Sequence, residues 1–156
     1  MARNKELADR LTEVLLSGHW IANTNYNELL EDVTWEQAMQ KMAGLNSIAA
    51  LTFHVNYYLA GIINVFKGGE LEIRDAYSFD HPKIESERDW ESLKSDFVKN
   101  AEIFVNEVSR LTENTLNSTF VDEKYGTYVR NIEGVIEHSY YHLGQISLLK
   151  RMITND

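Results

Sequence analysis

The stretch EHSYYHLGQI, residues 137–146, sets His138 and His142 four positions apart in a segment with no Pro and many apolar side chains. On a helix, positions i and i+4 stack on one face with Cβ atoms about 5–6 Å apart, so two imidazoles at this spacing reach one ion. A third candidate, His54, sits far earlier in the chain on a second segment of helical periodicity. Three imidazoles supply the protein nitrogens of an open metal centre and leave a fourth position for water or substrate; Zn²⁺ or Ni²⁺ suits that donor set. The chain has no cysteine, so a metal here is held by N and O ligands, and any thiol chemistry takes its sulfur from another molecule.

A competing reading makes each histidine a core residue satisfied by a hydrogen bond, and for any one of them taken alone that reading is the stronger. Three together shift the balance. Neutral imidazoles clustered without an ion each need a partner and burial disfavours their charged forms, whereas a metal satisfies one nitrogen of each at once. Whether the three meet depends on the elements that carry them.

Apolar spacing predicts four amphipathic helices, near residues 4–17, 34–66, 88–112 and 127–152. The first carries Leu7, Leu11, Val14 and Leu15 on one face and ends at Gly18. After a polar, Asn-rich loop, Thr34 and Gln37 form a capping box that opens the second. Its inward stripe is Ser47, Leu51, His54, Tyr58, Ile62 and Val65, and Gly44 and Gly61 cost stability unless something packs closely against them. KGGE closes that helix, and a connection of about twenty residues, longer than the usual helix-to-helix loop, precedes the cap formed by Ser86 and Asp89. So long a connection predicts a crossover, with helices two and three running in the same direction. LEIRDAYSF within it reads as a short extended piece. Helix three has the seam Trp90, Leu93, Phe97, Ala101, Phe104, Val108 and Leu111. Helix four starts near Thr127, places Ile132, Val135, His138, His142 and Leu149 on one stripe, and ends on Lys150 and Arg151, which complement its dipole.

The helix-four pattern of His, three residues, His and then Gly-Gln-Ile, together with HVNYY around the helix-two histidine, resembles the DinB and YfiT-like metalloenzymes over nearly the whole chain. The resemblance implies an all-α four-helix bundle with a long crossover connection and a three-histidine divalent metal site, its ligands corresponding to His54, His138 and His142. Some members are thiol S-transferases using low-molecular-weight thiols such as bacillithiol, mycothiol or glutathione, which implies a thiol and an electrophilic small molecule as partners. Activities in such proteins vary, so a metal-dependent hydrolase and a non-catalytic metal- or ligand-binding bundle stand as alternatives.

Tyr58, one turn from His54, is the expected site-lining phenol, while Tyr57, Tyr140 and Tyr141 read as packing residues. His19, in SGHW, and His81, before Pro82, read as surface residues of loops, and Glu137 points to solvent. Arg74, Asp122 and Glu123 lie on connections that the sequence does not place.

With 156 residues, 44% hydrophobic residues and one Pro, the whole chain, 1–156, reads as a single domain. A formal charge of −9 without a Lys/Arg stripe argues against nucleic acid, because phosphate binding relies on basic patches. The charged start MARNKELADR and the lack of any stretch approaching about 18 apolar residues predict no signal peptide and no membrane span, hence a cytoplasmic protein. An aromatic content of 11% and the long second helix leave apolar surface for a twofold homodimer.

Overall fold

In the computed structural model, which describes residues 1–155, four long helices form the bundle and short ones close its ends. Helix α1 (Arg3–Thr12) buries Leu7, Ala8 and Leu11 and continues as one π-turn, Glu13–Ser17, closed where the Gly18 N–H donates to the Glu13 carbonyl at 3.1 Å. A Cβ on Gly18 would stand 2.4 Å from the Glu13 Cα, so this wider turn ends on glycine of necessity. The expected polar loop instead holds helix α2 (Tyr26–Leu30), started by Asn25, whose side chain accepts the Glu28 N–H at 3.0 Å. Tyr26 is fully buried, stacks on Phe97 with ring centroids 5.0 Å apart, and donates its hydroxyl to the Ser139 carbonyl at 2.8 Å.

The predicted helix over 34–66 is corrected to two: α3 (Trp35–Met39) and α4 (Ile48–Phe66). Thr34 and Gln37 form the expected capping box, but the backbone turns extended at Gln40 (ψ 126°) and left-handed at Ala43 (φ 51°). Ser47, read as a stripe residue, is buried yet acts as a fresh N-cap, its hydroxyl accepting the Ala50 N–H at 3.1 Å. A side chain that satisfies an orphan N–H at this point begins a helix rather than continuing one, and Gly44 just before it offers little resistance to the break. Along α4, Leu51, His54, Ile62 and Val65 are buried and Tyr58 is half-buried. At 19 residues and a mean hydropathy of 1.3, α4 is long and apolar enough to cross a membrane, contrary to the expectation that no stretch approaches this; 67% of that window is buried inside the bundle.

Helix α5 (Glu87–Arg110) starts at the Ser86 cap and buries Trp90, Leu93, Phe97, Ala101, Phe104 and Val108, with Leu111 half-buried just past its end. After α6 (Glu113–Asn117), α7 (Tyr128–Thr154) completes the bundle, capped by Thr127. Residues 67–86 run back along α4: Asn64 donates to the Glu70 carbonyl at 2.8 Å, the Arg74 N–H donates to the Tyr57 hydroxyl at 2.9 Å, and His54 meets the Ser78 carbonyl at 3.2 Å. Each later residue touches an earlier one of α4, so the chain returns to the start of that helix before α5 begins. Helices α4 and α5 therefore run the same way, with Asn56 bonded to Asn100 at 2.9 Å and Phe66 beside Phe104 at 5.3 Å, as the crossover reading expects. Gly61 admits the returning chain, since a Cβ there would stand 2.3 Å from Ile73 Cγ1. LEIRDAYSF forms no strand: its backbone is extended at Arg74 (φ −133°, ψ 118°) and then enters a single 3₁₀ turn at Asp75–Tyr77, and among the described residues there is no strand, only an isolated bridge between Thr119 and Thr127. Helix α7 runs opposite to α4, with Phe66 facing Tyr128 at 5.9 Å while His54 faces His138 and His142 further along. This antiparallel pairing brings the three histidines together.

Candidate metal centre

His54 projects from the middle of α4 and His138 and His142 from successive turns of α7, with one nitrogen of each lying within 4.8 Å of the others. The His54 Nδ1–H donates to the Ser78 carbonyl at 3.2 Å, and the His142 Nδ1–H donates to Gln145 Oε1 at 2.7 Å. With the proton of each ring committed to Nδ1, their Nε2 lone pairs are free, and both point at His138 Nε2 from 3.0 Å. Nε2 of His138 carries at most one proton and can answer only one of these lone pairs. The cluster is thus one hydrogen-bond donor short of satisfied, and the lone pair left over is available to a cation. Nitrogens about 2.0–2.1 Å from a tetrahedral ion stand about 3.3–3.4 Å apart, so the two 3.0 Å contacts to His138 need to lengthen by only a few tenths of an ångström.

Burial lowers the pKa of all three imidazoles. For His138, burial and then the neighbouring His142 and His54 push it down to about 4. Above about pH 6.5 the group is neutral in folded and unfolded chains alike. As pH falls from there toward 4, the unfolded chain takes up protons that the folded cluster refuses, so stability is lost with falling pH. Chelator-treated protein is expected to melt at progressively lower temperature over this window, and His138→Gln to flatten the dependence; equal slopes in the two proteins would contradict the assignment.

Tyr58 sits edge-on to His54 and His138 at 5.1 and 5.2 Å and donates its hydroxyl to Asp75 Oδ1 at 2.6 Å. Burial and this acceptor raise its pKa to about 12, so the phenol keeps its proton at neutral pH. Phe79 lies flat on the His54 ring, 4.1 Å away at 7°, and Tyr141 stands against His142 at 4.9 Å. Sequence reasoning missed Asp75, Ser78, Phe79 and Gln145. Gln145 lies three residues after His142, a spacing that a helix reading could have used; the Ser78 carbonyl is backbone and leaves no mark on residue identity.

The other candidates stay apart. His19 is exposed and pairs with Glu28 at 2.6 Å; His81 lies on its loop with Nδ1 2.8 Å from the Pro82 carbonyl. Glu137 faces solvent beside Arg130 at 3.2 Å, Asp122 caps the turn at Glu123–Tyr125, and the side chains of Arg74 and Glu123 are exposed. A cleft of about 730 Å³ between α2 and α5 holds His19 but none of the three clustered histidines.

A family model described as DinB superfamily matches residues 21–146, a span that includes all three histidines, Tyr58, Asp75 and Gln145. No curated protein and no solved structure matches the chain.

Proposed function

The chain belongs to the DinB superfamily, and from that premise we propose that His54, His138 and His142 bind a divalent metal, Zn²⁺ or Ni²⁺, in an enzyme that joins a low-molecular-weight thiol to an electrophilic small molecule. The observation that carries this reading is the convergence of two tethered Nε2 lone pairs on a third imidazole nitrogen at 3.0 Å each. A divalent ion held there supplies positive charge that lowers the pKa of a thiol or water. The protein's own part is positional. Ser78 and Gln145 hold two imidazoles in the ligating tautomer, as outer hydrogen bonds do at metal sites. Phe79 covers one face of His54 against water, and Tyr58 stands edge-on to two of the histidines with its hydroxyl held by Asp75. The lack of cysteine suits a thiol brought from outside.

The test is elemental analysis of protein purified without nickel resin, followed by assay of metal-loaded and chelator-treated forms with thiols and electrophiles. Metal-dependent thioether formation is expected. Turnover of esters or amides without thiol would favour the hydrolase, stoichiometric metal without turnover the metal-binding bundle, and absence of metal would remove all three and leave only a ligand-binding bundle. A cytoplasmic location and a homodimer belong to the same proposal; Tyr141, Leu148 and Met152 expose apolar surface on one face of α7 that a twofold partner would cover.

A further inference from the structure

A chamber of about 310 Å³ opens on one flank of the histidine cluster. Ile62 of α4, Leu71 and Ile73 of the returning connection and Phe120 of the loop before α7 form its apolar walls, and Tyr58 and Asp75 stand between it and the histidines. Both loop walls are held at a structural cost. Ile73 lies where it does only because residue 61 is glycine. Phe120 donates its N–H to the Gly126 carbonyl at 2.8 Å, next to Val121 at φ 57°, a left-handed conformation that a β-branched residue rarely adopts.

The charge of the lining is one-sided, with Asp75 as its single ionic residue and no basic side chain. Among the cations nearby, Lys124 lies 4.0 Å from Asp122 and 4.9 Å over the ring of Tyr125, itself a lining residue, Arg130 lies 3.2 Å from Glu137, and Arg74, next to Asp75 in the chain, is exposed and does not line the chamber. Tyr58 occupies Asp75 Oδ1, and among the described residues no side chain donates to Oδ2. An apolar chamber with one uncompensated carboxylate favours a cation attached to an apolar body and disfavours an anion, and the formal charge of −9 acts in the same sense.

We propose that this chamber is a substrate subsite for a small molecule with an apolar body and a protonated amine, the ammonium on Asp75 and the body among Ile62, Leu71, Ile73 and Phe120. The orientation of the ligand's reactive end toward the histidines rests on the functional reading above; the amine subsite itself needs no metal. Anionic groups of a thiol partner have no place in it.

Because amines also ligate metals, the experiment uses chelator-treated full-length protein titrated at low salt and neutral pH with benzylamine, benzyl alcohol and benzoate. Benzylamine is expected to bind about fivefold more tightly than benzyl alcohol, as a partly exposed ion pair allows, and benzoate more weakly than either. Asp75→Asn should bring benzylamine to the level of the alcohol without changing the alcohol's affinity, and methyl shifts of Ile62 and Ile73 should locate both ligands. Equal affinity for benzoate, a preference that survives Asp75→Asn, or no binding by any probe overturns the subsite. Repetition in His138→Ala separates the two readings: loss of the metal site leaves the amine preference intact, and failure of the amine preference leaves metal content intact.

Discussion

His54→Ala is expected to lower metal affinity by more than about a hundredfold, because loss of even an outer hydrogen-bond partner of a ligand typically costs 10–100-fold. The α7 pair would remain, but His138 and His142 offer only two nitrogens, and two exchangeable ligands from one helix hold a divalent ion weakly. The substitution removes the one imidazole anchored to the crossover through the Ser78 carbonyl, so it also tests whether α4 and α7 pair as described. Competition against a chelating dye gives the affinity, and elemental analysis gives the stoichiometry. His19→Ala, exposed beside Glu28, should keep full metal content. If His54→Ala keeps it too, the three-histidine centre does not exist and the histidines are satisfied core residues.

The second large effect is on stability. Trp90 is fully buried at the start of α5 and donates its indole N–H to the Val33 carbonyl at 2.7 Å. Trp90→Ala removes the packing of a large aromatic and leaves that carbonyl without its donor, so a loss of about 3–5 kcal/mol is expected. A domain of ordinary stability has only about 5–15 kcal/mol in total, which makes this a large share of it. Trp20, 89% exposed, serves as the control, with Trp20→Ala expected within about 0.5 kcal/mol of the parent. Urea unfolding measures both. A loss below about 2 kcal/mol at Trp90 would mean that the α3–α5 corner is looser than its contacts indicate.

The amino-acid sequence by itself determined whatever is set within a few turns of chain. The α5 seam from Trp90 to Val108 is buried at every predicted position, because a 3.6-residue period records one face of one helix. The Thr34–Gln37 box and the Ser86 cap stand where read, since each is a contact across three residues. The His138–His142 pair was legible for the same reason, as was the crossover, whose length alone excluded a tight turn.

Only the tertiary structure decided the rest. Periodicity ran on through Gln40–Ser47, and a Ser on the apolar stripe reads equally as a helix-interior residue or as a new N-cap; the structure shows the second, with the backbone extended at Gln40 and the helix restarted at Ser47. Tyr26 looked like part of a polar loop until Phe97 and the Ser139 carbonyl supplied its partners. His54 joined the α7 pair only through the antiparallel docking of α4 and α7, and the groups that tune the cluster, the Ser78 carbonyl and the Asp75 carboxylate, arrive on a connection without periodicity. Contacts between segments distant in sequence depend on how whole faces pack, a property of the assembled bundle that no local pattern encodes.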